Sequence, residues 1–169
     1  MVGIIKRSIY ANIIGLCLGV VFVPFVSGLS YAKDASVIAA FEKAHIHSVN
    51  KQCVGQWEKQ ICMKALSEAS MAMASKYAER LNQSGNGNQM EPLKQGCAAS
   101  TAAMKVNVPA YAMKSALTEC ANTVSDVVDT TGVQPDINLY QILIAGVLCI
   151  GKDQQCAMLE AQFAILSQQ

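Results

Sequence analysis

Six of the seven cysteines, Cys53, Cys62, Cys97, Cys120, Cys149 and Cys156, are spread over the last two thirds of the chain. Cysteine offers three chemistries: disulfide, zinc ligand and nucleophile. A closed zinc site starts from a local pair such as C-x2-C, and no such pair occurs here. A nucleophile built from Cys53 with His45 or His47 needs a free thiol, whereas an even set of cysteines in an oxidising compartment favours bridges. Helix geometry then weights the possible pairings. Val106-Asn107-Val108-Pro109 reverses the chain between Cys97 and Cys120, which places both at similar depth on antiparallel helices. Gly151-Lys152-Asp153 provides a stop and restart between Cys149 and Cys156, a pair too far apart to bridge on one continuous helix. Gly55 breaks the chain between Cys53 and Cys62, although the depths of that pair match poorly. The preferred pairing is therefore Cys53–Cys62, Cys97–Cys120 and Cys149–Cys156.

The remaining chemistry-bearing residues are sparse. His45-Ile46-His47 on a helix points its two imidazoles to different sides, so they do not chelate one metal. Met63, Met71 and Met73 have the soft thioethers that bind Cu(I), yet Met71 and Met73 also face different sides, and methionine is a common core filler. Ser48-Val49-Asn50-Lys51 has the S-x-x-K spacing but lacks the companion motifs of penicillin-binding enzymes. Neither G-x-S-x-G nor H-E-x-x-H is present, and the carboxylates form no glycosidase pair. No catalytic residue, cofactor or metal is assigned from the sequence, and binding is favoured over catalysis.

The compartment that makes the cysteines structural is read from the first residues. Lys6 and Arg7 form a basic start, an apolar run extends from Ile9 to about Val26, and the small residues Ser30 and Ala32 precede Lys33. This is the pattern of a cleavable bacterial secretory signal over residues 1–32. Pro24 and Gly28 interrupt the run near its end, against a permanent anchor. Leu16, bulky just before Cys17, argues against lipidation. Removal of the signal takes away Lys6, Arg7 and Cys17. It leaves residues 33–169 with eleven basic and twelve acidic side chains in place of the whole-chain charge of +1. A near-neutral domain without a basic run has no electrostatic footprint for nucleic acid, and after cleavage no stable membrane anchor is expected.

The elements that carry these residues read as helices. Segments 36–51, 57–81, 98–105, 109–129, 137–150 and 154–166 have apolar residues at helical spacing. In 57–81 the series Cys62, Leu66, Ala69, Met73, Tyr77, Leu81 is opposed by a charged face. Segment 137–150 is apolar nearly all round and is expected at the buried centre, with Asp136 as its cap. Residues 82–96, rich in Asn, Gln, Ser and Gly, read as a mobile polar loop. The fold expected is all-α: a disulfide-stapled bundle of about five to six helices in a single domain, 33–169. The function expected is that of an exported protein, periplasmic or extracellular, that binds another protein as an effector, inhibitor or immunity-type module. A periplasmic small-ligand or copper carrier, or an enzyme without recognisable motif, is the alternative.

Overall fold

A computed structural model describes residues 36–151 and 154–169. The expected signal, 1–32, lies outside the described residues. The main body is Glu42–Gln169, and the described residues before it, 36–41, belong to a separate unit. Every regular element among the described residues is helical. Helix α1 covers residues 36–53, α2 Gln60–Gln83, α3 Met90–Ala102, α4 Ala110–Thr131, α5 Ile137–Cys149 and α6 Cys156–Leu166, with a 3-10 turn at Gly87–Gln89 before α3.

Helix α2 is the spine. Its buried side runs through Cys62, Leu66, Ala69, Met73, Tyr77 and Leu81, and it packs on α3 and α5. Small residues on its second buried side let α3 approach closely. Ser67 Oγ donates to the Ser100 carbonyl at 2.6 Å, and the Ser70 and Ser100 hydroxyls meet at 2.6 Å. These hydroxyls are buried, so partnering them avoids the cost of an unsatisfied polar group, about 1–3 kcal/mol each.

The three bridges join Cys53–Cys62, Cys97–Cys120 and Cys149–Cys156, with Cα–Cα distances of 4.6, 4.3 and 4.8 Å. Between the first two cysteines the chain turns at Gly55, whose φ of 74° suits a residue without Cβ. Trp57 belongs to this turn, and α2 starts only at Gln60, later than the spacing implied. That delay brings Cys62 back beside Cys53.

Two expectations need correction. Residues 82–96 are not one long loop: α2 runs to Gln83 and α3 begins at Met90, leaving 84–89 between them. Pro92 is tolerated because the first helical turn has no intrahelical N–H bonds to lose. Gly96 sits inside α3 where the backbone meets α4. A Cβ built on it would lie 2.0 Å from Thr123 Oγ1 and 2.6 Å from Thr123 Cβ. Both residues that signal a loop by composition are thus accommodated within a helix.

The second correction concerns α5. It buries Leu139, Ile142, Leu143, Ala145, Gly146 and Cys149, with Gly146 placed so that a Cβ would press on Leu117 Cδ1 at 2.6 Å and on Leu66. Its other side is only half-buried at Tyr140, Ile144, Val147 and Leu148, and Ile137 is 64% exposed. The helix is apolar all round but enclosed on one side alone.

Candidate functional site

The open side of α5 faces α4 across a groove of about 390 Å3, walled by Val124 and Val128 of α4, by Pro135, and by Ile137 and Tyr140 of α5. Ser125 and Gln134 supply its polar edge. The outer face of α4 carries Glu119, Asp126 and Asp129, all exposed. The one basic residue of that helix, Lys114, donates to the Ile150 carbonyl at 2.9 Å. Asp129 follows the lining residue Val128, whereas Glu119 and Asp126 border a different hollow that Lys114 shares.

The connection that shapes this groove, 132–136, is held from behind by α2. Gly132 ends α4 in the left-handed conformation, φ 72°, and returns its N–H to the Val128 carbonyl. Tyr77 Oη donates to the Val133 carbonyl at 2.7 Å, and Arg80 donates to that of Gln134 at 3.2 Å. Asp136 caps α5, accepting from the N–H groups of Asn138 and Leu139 at 3.1 Å. The loop leading to Pro135 and Ile137 is fixed at several points, so a partner would meet a preformed surface and lose little ordering entropy.

Asp136 also belongs to a cluster that ties α1 to α2 and α5. Lys76 forms an ion pair with Glu42 and lies 3.9 Å from Asp136, whose other cationic neighbour, Arg80, is at 3.7 Å. Burial, the hydrogen bond shared with Asp136 and the charge of Asp136 raise the pKa of Glu42 above its ordinary value, against the pull of Lys76. Burial acts on Asp136 in the same sense, but the bond from Glu42, the Leu139 N–H and the two cations more than offset it, so its pKa is lowered. The two carboxyls therefore titrate together, with Glu42 pushed up and Asp136 pushed down.

Because Glu42 binds its proton more tightly in the folded chain, its contribution is fully present below pH 4.5 and is lost as pH rises through the raised folded value. Asp136 behaves oppositely: its contribution is present above pH 3.8 and is lost as pH falls through the lowered value. Glu42→Gln, which mimics the protonated acid, is expected to flatten the decline in denaturation midpoint just above pH 4.5 while keeping the acid limb. Midpoints measured across pH 3–8 check this. An unchanged decline in the variant would place the titration elsewhere.

The residues singled out by type are dispersed. His45 is half-buried on α1, and burial lowers its pKa, with Glu68 and Lys76 as its charged neighbours. His47 is exposed on the same helix. Met63 and Met73 are fully buried in the core, while Met71 is 46% exposed on the opposite side of α2. Among the described residues, no group of three or more His, Cys, Asp or Glu side chains could hold a metal ion. Also among them, no helix is long and apolar enough to cross a membrane. The three bridges fit a chain that works outside the reducing cytoplasm. Comparison with protein-family models, curated proteins and solved structures returned no match.

Proposed function

We propose that this chain is an exported bacterial helical module, periplasmic or extracellular, that acts by binding another protein through the α4–α5 groove. The observation that carries this reading is Ile137. A large apolar side chain is 64% exposed at the mouth of a groove whose supporting loop is fixed by α2. Exposed apolar surface with a polar rim, here Ser125 and Gln134, marks interaction sites, and the carboxylate of Asp129, next along α4 from the lining Val128, favours a partner that presents a cationic residue beside its apolar anchor. An amphipathic basic helix has that chemistry.

Site-specific photo-crosslinking in the producing organism and in its surroundings tests this. A crosslinker at position 137 is expected to give one discrete adduct. The same group at Met158, equally exposed at 70% on α6, is expected to give none. Charge reversal by Asp129→Lys should weaken the adduct, most visibly at low salt. Equal yields at the two positions, or no effect of charge reversal, would remove the groove from consideration.

A small-ligand carrier is the second reading, favoured by the apolar lining of the same groove. Native mass spectrometry distinguishes it, since a carrier retains a ligand that is absent from Ile137→Asp. Burial of Met63 and Met73 within the packed core leaves the copper version with little to recommend it.

A further inference from the structure

Helix α1 presents to solvent the chemistry that the α4–α5 groove lacks. Val37, Ala40, Ala44 and Lys51, spaced by three, four and seven residues, share its outer side, and all are exposed. Ile38 and Phe41 widen the apolar part: Val37 is 60%, Ile38 43% and Phe41 47% exposed. Lys43, also exposed, lies on the flank. Among the described residues of α1 the one acidic side chain is Glu42, and Lys76 engages it. The outer side is thus apolar at its amino end and cationic beside and beyond it. The groove has the complementary character. Ile137 stands at its mouth, and Asp129, next after the lining Val128, has no ion-pair partner among the described residues. Arg80, the cation that reaches the groove loop at the Gln134 carbonyl, is met by Asp136 at 3.7 Å.

We propose that the partner seated in this groove is a second copy of the chain, which inserts Val37 and Ile38 of its α1 beside Ile137 and brings Lys43 and Lys51 towards Asp129. This rests on the groove reading above and names its occupant. Every molecule carries both halves of the contact, so no other component is needed. The contact joins two different surfaces, a head-to-tail arrangement. One helix end in a groove of about 390 Å3 falls short of the roughly 800 Å2 per partner of a standard stable interface, so association is reversible and depends on concentration. Opposite charges at its rim steer the encounter and make it weaken with salt. An anionic membrane would attract the two lysines equally, but it makes no use of Ile137.

Purified full-length protein, freed of its signal where that is cleaved, tests this with the photo-crosslinker at position 137. The expected product has twice the monomer mass, with the crosslink on the tryptic peptide that ends at Lys43. Sedimentation velocity at low salt is expected to show a species heavier than the monomer that grows with concentration and is lost at high salt. Asp129→Lys, and separately Lys43→Glu with Lys51→Glu, should each weaken association at least about tenfold, and all three changes in one chain should restore it. These side chains are exposed, so the substitutions leave the fold intact. Failure of the combined variant to recover, or a crosslink outside α1, overturns the proposal. Purified protein that stays monomeric while position 137 captures a different protein in the producing organism overturns the second copy and spares the groove; capture in neither setting overturns both. Binding of the monomer to phosphatidylglycerol vesicles, lost in the lysine variant, would assign α1 to a membrane surface and equally overturn the proposal.

Discussion

Gly96→Ala destabilises the protein by about 1–3 kcal/mol, and Gly96→Val by more. The direction is the informative part. Inside an exposed helix the same alanine substitution stabilises by roughly 0.5–1 kcal/mol, because glycine loses the most backbone freedom on folding. Here the new Cβ would stand 2.6 Å from Thr123 Cβ and 2.7 Å from its Cγ2. Rotating the threonine moves Oγ1 and Cγ2 but leaves Cβ where the backbone of α4 puts it, so the helices themselves must separate. The neighbouring Cys97–Cys120 bridge, with its Cα atoms 4.3 Å apart, opposes that separation. Thr123→Gly, combined with Gly96→Ala, is expected to recover most of the loss in a double-mutant cycle. Urea midpoints of the four proteins measure the coupling; an additive cycle, or a stabilising Gly96→Ala, would refute the close helix contact.

Removing that bridge, by Cys97→Ala with Cys120→Ala, costs about 3 kcal/mol in the chain-entropy account of cross-links. The sequence separation is 23 residues, against 9 and 7 for the other pairs. Closure entropy grows with loop length, so this should be the most costly of the three to lose. It also clamps the tightest helix contact in the body, where Ser70, Ser100 and Cys120 cluster. Without the clamp α3 and α4 have room to move apart, and the penalty of Gly96→Ala should shrink. Thermal and urea denaturation of the three bridge-deleted variants give the ranking. A loss no larger than that of Cys149→Ala with Cys156→Ala would show that the short loops carry as much of the stability.

How far the sequence discloses this molecule varies from element to element. The apolar series along α2 and the aspartate ahead of α5 are local signals, and both correspond to what the structure places there: a buried stripe and a two-bond cap. Met90–Gly96 misleads because the reasons for helix are not local. Pro92 falls in a first turn, which only the position of the start reveals, and Gly96 answers to Thr123 on another helix. The exposed side of α5 could not be read at all. An all-apolar helix gives no sign of which face its neighbours leave uncovered. Nor does any periodicity point to Glu160, whose partners Gly55 and Trp57 are 105 and 103 residues away in the chain. Glu42, Lys76 and Asp136 are similarly scattered, and only packing assembles them into one charged cluster.

The three bridges have one more property in common: each cysteine is paired with its next neighbour along the chain. A polypeptide that emerges from a narrow channel amino end first presents these thiols in the order 53, 62, 97, 120, 149, 156. At each even-numbered arrival in that order, the only unpaired thiol already outside is the correct partner. On the export route proposed above, an oxidant that joins thiols as they appear would therefore write the native connectivity without later editing, and biogenesis would need a source of oxidising equivalents but no reshuffling step.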